Sequence, residues 1–325
     1  FYSSGIHTNH GIYSTLYSFP AIMKRNAMKG SVIPVYSGLP TVLQENGYCN
    51  LFFMTHESQY DNMNAFLRTN GFDEIYAQEN YPSEKVVNSF GVQDDFMYQY
   101  ALPILNERAG TGNPFFSVLL SISNPPPYVI PPYFHPHSDV LEEQIVEYAD
   151  WSIRQFMQAA EKQPWFDNTI FVFLGDHGKM VGTPECEMPQ SYNHIPLMIY
   201  GKDIKPGVYD GFGGQVDVSP TLLGLLNISY LQNNFGVNLL EEERPCMFFT
   251  ADNLIGARDS VNMFIYSPDS QQEFKYKLEE GKLHAATGTD EEAFRNLKDY
   301  CFSMLQSTES LVKEHKTLDK VSVKK

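Results

Sequence analysis

The chain has 325 residues, of which 42% are hydrophobic and 19% charged, and its formal net charge is −16. This composition is typical of a globular protein with a sizeable core, and the acidic excess argues against a partner bound through nucleic-acid phosphates. No run is long and apolar enough to span a bilayer. The sequence opens at Phe1 without an initiator Met or a signal peptide. We therefore expect a fragment that lacks its N-terminal part.

The cysteines carry no metal or redox motif. None of the four lies in a Cys-x-x-Cys pair, which argues against a zinc ribbon or a thioredoxin-like site. One disulfide is possible, and the spacing does not select a pair. The four are Cys49, Cys186, Cys246 and Cys301.

Apolar, β-rich segments alternate with amphipathic segments up to about residue 230, which favours an α/β sheet covered by helices. Beyond about residue 240 the pattern changes to closely spaced strands and a final helix. The predicted strands are 49–54, 114–122, 170–174, 195–200, 246–250, 263–266, 273–278 and 282–284. The predicted helices are 40–47, 92–108, 140–161, 217–226 and 291–315, with one further helix through Phe66 and Leu67 and another beginning near residue 8.

The first of these helices begins beside a threonine. Apolar residues at helical spacing follow Thr8 and Asn9, and either residue is a plausible N-cap. A threonine hydroxyl at a helix N-terminus can also act as a nucleophile beside a metal ion. Local sequence favours the cap.

The stretch around which the chain is organised is Phe171–Gly178. Its apolar half predicts a strand buried on both faces, and Asp176 and His177 follow at the strand's end. Open α/β folds place their sites at that edge, where a carboxylate and an imidazole suit a divalent cation. The alternative is that the pair caps the next helix, and the dipeptide alone does not decide between the two.

Four stretches, in this order, resemble motifs of one enzyme group. The stretches are Ser4–Gly11; Tyr60–Met63 with Phe66–Leu67 and Asn70–Phe72; Pro164–Thr169 leading into Gly175–Gly178; and Asn193–Leu197 with Asp217–Thr221. The resemblance is to the extracytoplasmic domain of the lipoteichoic acid synthase and phosphoglycerol transferase group, within the sulfatase family of the alkaline phosphatase superfamily. It runs from Ser4 to about Ile228.

The resemblance implies the fold and the domain limits. We expect an alkaline-phosphatase-like sandwich of a mostly parallel central sheet with helices on both faces, plus a small C-terminal antiparallel sheet and helix. Residues 1–240 would form the N-terminally truncated catalytic domain, and residues 241–325 would complete it.

The resemblance also implies a site. Thr8 matches the nucleophile, and together with Asp176 and His177 it would bind Mn²⁺ or Mg²⁺, with Zn²⁺ possible. Candidate substrate-binding residues are His194, His56, His7, Asn124 and Asp61.

The implied activity is metal-dependent transfer of a phosphoryl group, phosphoglycerol or a related one, from a membrane phospholipid to an envelope glycan or lipid through a phosphothreonine-type intermediate. The domain would lie on the extracytoplasmic side of the cell membrane, held by N-terminal transmembrane helices that the fragment lacks. The alternatives are a sulfatase or phosphodiesterase hydrolase, and an inactive binding domain. No cysteine has the Cys-x-Pro-x-Arg context of a sulfatase, which favours phosphoryl transfer.

The sequence departs from the family pattern twice. The family's first metal ligand is a Glu upstream of the nucleophile, and that region would precede Phe1. Family members also often carry a His after the Ser-Asn that matches Ser123 and Asn124, where Pro125 stands here. The second departure leaves the identity of the substrate open.

Overall fold

A computed structural model describes residues 1–30, 32–287 and 291–318. The α-helices are α1 Thr8–Tyr17, α2 Leu39–Glu45, α3 Met63–Thr69, α4 Asp94–Ala109, α5 Leu141–Ala160, α6 Gln190–Asn193, α7 Val218–Leu225 and α8 Glu291–Lys313. The strands are β1 Cys49–Met54, β2 Glu74–Tyr76, β3 Val86–Asn88, β4 Gly91–Val92, β5 Phe115–Leu120, β6 Phe171–Leu174, β7 Leu197–Tyr200, β8 Met247–Thr250, β9 Ile255–Arg258, β10 Asn262–Ser267, β11 Gln272–Glu279 and β12 Lys282–Ala285.

The chain divides into two compact units, which are described separately. The first unit comprises Phe1–Leu39, Phe171–Tyr200 and Ile204–Lys325. The second comprises Pro40–Ile170 and Gly201–Asp203. The first unit therefore contains both Thr8 and the Asp176–His177 pair, although more than 160 residues separate them in sequence.

The second unit is built on a parallel sheet with the strand order β2-β1-β5. The central strand β1 pairs along its whole length with β5, from Cys49 opposite Phe115 to Met54 opposite Leu120. Its residues from Asn50 to Met54 are buried, as expected of a central parallel strand covered on both faces. Because β1 and β5 are parallel, the loops that follow them leave the sheet at the same edge.

The first unit contains an antiparallel sheet with the strand order β12-β11-β10-β9-β8. Alternate side chains of its strands point to opposite faces, so the sheet has two apolar clusters. On one face Phe248 and Phe264 pack with Leu297 and Cys301 of α8. On the other face Met247 and Phe249 pack with Tyr2, and the sheet thereby supports the segment that precedes Thr8.

The strand that leads to Asp176 differs from its prediction. The prediction that this strand is buried on both faces is wrong: all four residues of β6 are half-buried. Within the described ranges β6 pairs with β7 in a two-stranded antiparallel ribbon, with Phe171 opposite Tyr200 and Leu174 opposite Leu197. A run of four apolar residues does not by itself distinguish the centre of a sheet from a ribbon.

Most predicted elements are confirmed within one to three residues of their ends. Sequence reasoning missed β2, the β3–β4 hairpin and β9, which are only two to four residues long. In the described part of the chain, no helix has the length and apolar character needed to cross a membrane. The division into residues 1–240 and 241–325 stays a prediction.

Candidate active site

The segment before Thr8 is extended and is held between two other segments of the first unit. Tyr2 forms an antiparallel bridge with His194 and a parallel bridge with Gly214. The Ser3 amide donates to the Asn193 carbonyl at 2.7 Å. The Asn193 side chain donates back to the Ser3 carbonyl at 3.3 Å. These bonds fix the direction in which the chain enters α1.

Thr8 is the first residue of α1 and its side chain is half-buried. The N-cap residue is His7, whose side chain makes no capping hydrogen bond. The prediction that Thr8 or Asn9 is the N-cap is therefore wrong. Thr8 instead heads the helix, where backbone N–H groups of the first turn have no partner within the helix.

Asp176 and His177 follow β6 directly and lie next to each other. His177 Nε2 is 3.6 Å from Asp176 Oδ2, and the two side chains are 33% and 34% exposed. The alternative that this pair caps a helix is wrong, because the next helix along the chain, α6, begins at Gln190 and its N-cap is Pro189.

Local hydrogen bonds orient both side chains of the pair. His177 Nδ1 lies 2.7 Å from the Gly178 carbonyl oxygen and therefore carries the proton that it donates there. In the neutral form of this ring, Nε2 keeps its lone pair. Asp176 Oδ1 accepts the His177 amide at 2.9 Å, which leaves Oδ2 on the side of Nε2.

Glycines allow the segments of this site to approach closely. A Cβ on Gly11 of α1 would lie 2.1 Å from the Asp176 carbonyl oxygen. A Cβ on Gly178 would lie 2.0 Å from the Ser191 carbonyl oxygen. Residues with a side chain do not fit at either point, so α1 and the Asp176 loop are in backbone contact.

The donor set suits a divalent cation. One carboxylate oxygen and one imidazole nitrogen converge, and the proton on the second ring nitrogen is bonded to a carbonyl, as is usual for metal-binding histidines. Among the described residues no group of three or more His, Cys, Asp or Glu side chains could hold a metal ion. Two side chains would supply only part of a coordination shell, which hydroxyl ligands or further residues would have to complete.

Two predicted substrate-binding histidines lie in the same unit. His7 precedes Thr8 and its Nε2 lies 2.6 Å from Oδ1 of Asp252, with both side chains about half exposed at 45% and 50%. His194 is exposed and stacks on Tyr2, with ring centroids 5.1 Å apart. Partial desolvation of the ring lowers the pKa of His194, and neighbouring positive charges, that of Arg258 among them, act in the same direction, which favours the neutral ring.

The other three predicted residues lie in the second unit. His56 follows β1, and Asn124 lies in the loop that follows β5, so both belong to the same edge of the parallel sheet. Asn124 is exposed. Asp61 lies in the helical turn Tyr60–Asn62, has a φ of +52° and is half-buried.

His56 is the most deeply buried of the predicted site residues, at 1% exposure. Its Nδ1 lies 3.0 Å from the Glu57 carbonyl oxygen, and its ring is 4.7 Å from that of Tyr60. In the described part of the chain its Nε2 has no hydrogen-bond partner. Burial lowers the pKa of His56, so the neutral form is favoured. A buried, neutral imidazole with an unused nitrogen is suited to a polar ligand.

Sequence reasoning gave no role to two residues that hold this site together. Gln215 and Thr250 are fully buried, and both bond to the backbone of Ser4. Gln215 lies two residues before the Asp217–Thr221 motif, and no pattern in the sequence distinguishes it from a surface glutamine. Buried polar residues that bond to a distant backbone group leave no periodic signal.

Comparison with known proteins gives consistent results. Residues 1–228 match the sulfatase family. The chain is 24% identical over 282 residues to lipoteichoic acid synthase 1 of Bacillus subtilis, with 76% of this chain and 42% of the relative covered. It is 25% identical over 251 residues to phosphoglycerol transferase I of Xanthomonas campestris, with 73% and 36% covered. The chain thus spans about two fifths of the length of these relatives.

Solved structures with the same fold include the following two. One is a protein of the alkaline phosphatase superfamily from Vibrio parahaemolyticus, with a TM-score of 0.84, 25% identity and coverage of 95% of this chain and 77% of that one. The other is the lipoteichoic acid synthase LtaP from Listeria monocytogenes, with a TM-score of 0.79, 22% identity and coverage of 96% and 83%. Both likenesses extend over nearly the whole of this chain.

Proposed function

The chain belongs to the sulfatase family and has an alkaline-phosphatase-like α/β fold, and from this premise we propose that it catalyses metal-dependent transfer of phosphoglycerol from a membrane phospholipid. The names of the relatives support the group transferred, since they include lipoteichoic acid synthases and phosphoglycerol transferases. The acceptor in this proposal is an envelope glycan or glycolipid.

One observation carries the proposal. The helix headed by Thr8 is in backbone contact, through Gly11, with the loop that presents Asp176 and His177. This contact brings the helix that begins at Thr8 next to the loop that carries the proposed metal ligands, which come from a distant part of the sequence. Such a combination suits the activation of a hydroxyl for attack on phosphorus.

Asp176 Oδ2, His177 Nε2 and the Thr8 hydroxyl are the atoms that would hold the metal ion. Mn²⁺ and Mg²⁺ fit the oxygen donors and Mn²⁺ also accepts an imidazole, and Zn²⁺ is the third possibility. Bound there, a divalent cation lowers the pKa of a coordinated hydroxyl and neutralises charge on phosphoryl oxygens.

Thr8 acts as the nucleophile in the first half of the reaction. Its Oγ forms a bond to phosphorus and gives up its proton, while the bond from phosphorus to the diacylglycerol oxygen breaks. That oxygen takes a proton, so diacylglycerol leaves neutral and phosphoglycerol remains on Thr8. An acceptor hydroxyl then attacks the same phosphorus and restores the Thr8 hydroxyl. The N-terminal end of α1, which Thr8 heads, favours negative charge at this position.

We propose binding roles for the remaining predicted residues. His7 and His194 lie in the unit that contains Thr8, and a neutral His194 would donate or accept one hydrogen bond to the head group. His56, Asp61 and Asn124 would contact the glycerol or acceptor hydroxyls. His56 offers the strongest support, because its buried Nε2 has no hydrogen-bond partner among the described residues.

The partners and the location follow from the same proposal. A phospholipid donor places the reaction at a membrane surface, and an envelope acceptor places it on the extracytoplasmic side. In the longer protein, N-terminal transmembrane helices would hold the domain there. A test is the accessibility of this domain to an added protease in intact cells.

The experiment that tests the function is release of diacylglycerol from phosphatidylglycerol vesicles by the full-length protein with Mn²⁺. We expect Thr8→Ala to abolish release, because the attacking oxygen is gone. Thr15→Ala is the matched control, since it removes a hydroxyl from the same helix two turns away and should leave the rate unchanged. Head-group-labelled lipid should label Thr8 in the wild type but not in Thr8→Ala.

Three outcomes would contradict this function. Diacylglycerol release at the wild-type rate by Thr8→Ala would exclude Thr8 as the nucleophile. Hydrolysis of an aryl sulfate without turnover of the lipid would favour a sulfatase. Binding of the lipid without turnover or labelling of Thr8 would favour a binding domain.

A further inference from the structure

Gln215 makes three hydrogen bonds that connect the two halves of the candidate active site. It is fully buried and lies in the helical turn Gln215–Asp217. Its Oε1 accepts the Ser4 amide at 2.9 Å. Its Nε2 donates to the Gly175 carbonyl at 3.0 Å and to the Asp176 carbonyl at 2.7 Å. One side chain thus bridges the segment that leads to Thr8 and the loop that carries the proposed metal ligands.

The chemistry of these partners selects an amide side chain. The site presents one N–H group and two carbonyl oxygens, which require one acceptor and two donors. Glutamine supplies an oxygen and an NH₂ group, whereas a carboxylate would place a lone pair against the two carbonyls. A buried carbonyl or amide that is left unpaired destabilises the arrangement, because it has lost its hydrogen bonds to water.

The same segment is fixed from its other side by the antiparallel sheet. The Ser4 carbonyl accepts the Thr250 amide at 2.9 Å and the Thr250 hydroxyl at 3.2 Å. The backbone of Gln215 is also fixed, because its backbone N–H donates to the Tyr2 carbonyl at 3.0 Å. Ser4 is therefore bonded through both its backbone groups, four residues before Thr8.

We propose that Gln215 is a positioning residue that sets the distance between the Thr8 hydroxyl and the Asp176–His177 pair. This proposal rests on the proposed function, because it assumes that Thr8 and the pair act together on one metal ion. Gln215 contacts neither substrate nor metal in this role. It acts through the backbone of Ser4 and of Asp176.

The test replaces Gln215 with methionine in the full-length protein, which keeps length and volume and removes all three bonds. We expect kcat for diacylglycerol release to fall about 10- to 100-fold, as is typical when a residue that orients metal ligands is replaced. The KM for the lipid should stay within about threefold. We also expect the rise in melting temperature caused by Mn²⁺ alone to shrink, since the metal would meet a less ordered donor set.

Ser219→Ala is the matched control. Ser219 is buried and its hydroxyl donates to the carbonyls of Thr15 and Leu16, at the opposite end of α1. Its loss should lower the melting temperature of the metal-free protein but leave kcat and the Mn²⁺-induced rise unchanged. A Gln215→Met variant that behaves like Ser219→Ala would show that Gln215 only stabilises the fold and would overturn the proposal.

Hydrogen exchange of the wild-type protein tests the proposal even where the variant does not fold. Mn²⁺ should slow hydrogen exchange of the Ser4 backbone amide, which donates to Gln215 Oε1. It should not change the exchange rate of the Leu239 backbone amide, which donates to the Thr221 hydroxyl at 3.1 Å. A Ser4 amide that is insensitive to Mn²⁺ would overturn the coupling. A wild type that shows Mn²⁺ stabilisation but no lipid turnover would instead contradict the proposed function and leave the Gln215 test intact.

Discussion

Gly11 lies against the backbone of Asp176, so closely that a Cβ on Gly11 would be 2.1 Å from the Asp176 carbonyl oxygen. Gly11 is three residues after Thr8 in α1, and Asp176 follows β6. This contact places the start of the helix and the start of the Asp176 loop side by side. A glycine inside a helix is about 1 kcal/mol less favourable than alanine, so the close approach explains its presence.

Gly11→Ala tests this contact. Helix propensity alone predicts a gain in stability of about 1 kcal/mol, but the new Cβ has to push α1 and the Asp176 loop apart. Because a 1 Å displacement in an active site can lower a rate about 100-fold, we expect diacylglycerol release to fall by about 10- to 100-fold. The rate is measured with phosphatidylglycerol vesicles.

Gly207→Ala is the control for this prediction, since a Cβ there would meet nothing within 4 Å. It should leave the rate unchanged. Full activity in Gly11→Ala would mean that the two segments separate without consequence for the reaction.

Asp176→Asn tests the metal site. The variant keeps the shape of the side chain but loses the negative charge at Oδ2, which lies 3.6 Å from His177 Nε2. A ligand present at 100 times its dissociation constant stabilises the folded protein by about 2.7 kcal/mol. We expect Mn²⁺ at such a concentration to stabilise the wild type by this amount and to have no such effect on Asp176→Asn. The measurement is the melting temperature with and without Mn²⁺, and a chelator should return the wild type to its metal-free value.

Asp269→Asn removes an exposed carboxylate from the loop between β10 and β11 of the same unit. It should keep the full response to Mn²⁺. An equal response in Asp176→Asn would place the metal elsewhere.

Stability should depend on pH through His56. Burial lowers the pKa of this side chain from its ordinary value of 6.5. The folded state then binds fewer protons than the unfolded state, so the contribution of His56 is fully present above about pH 6.5 and is lost as the pH falls below that value. We expect His56→Asn to flatten the fall in the free energy of unfolding below about pH 6.5. Urea titrations at a series of pH values measure it.

His135→Asn is the comparison, because His135 is an exposed histidine of the same unit. In His135→Asn, the dependence of the free energy of unfolding on pH should match that of the wild type. If the free energy of unfolding of His56→Asn depends on pH in the same way as that of the wild type, the buried imidazole does not control the loss of stability in acid.

The buried pair of Arg244 and Asp217 should be important for stability. The Asp217 side chain is 0% exposed and that of Arg244 is 8% exposed. Arg244 Nε donates to Asp217 Oδ2 at 2.8 Å, and the carboxylate also accepts the amides of Gly214 and Val237, both at 2.9 Å. Arg244→Leu leaves the carboxylate without its cation, and we expect a loss of about 3–5 kcal/mol in the free energy of unfolding.

An exposed pair provides the contrast. Lys202 Nζ lies 2.5 Å from Asp167 Oδ2, but the two side chains are 60% and 65% exposed. Lys202→Leu should change the free energy of unfolding by less than about 1 kcal/mol. Similar losses in both variants would show that burial does not govern the strength of the Arg244 pair.

Sequence reasoning was successful where a local pattern carries the information. The apolar face of α5 was recognisable because it repeats with the period of a helix. Strand β1 was recognisable because it is a nearly continuous apolar run. The same reasoning failed for the burial of β6, because four apolar residues fit both a sheet centre and a ribbon. It also failed for the N-cap of α1, where Thr8 proved to be the first helical residue.

By itself, the sequence determined the order of the elements, the residue types of the candidate site and the family motifs, because all of these depend on neighbours along the chain. Only the tertiary structure decided that Gly11 touches the backbone of Asp176 and that Gln215 bonds to both Ser4 and Asp176. These contacts join residues that are 165, 211 and 39 positions apart. Such pairs leave no local period, since they are set by backbone approach and by the pairing of buried polar groups.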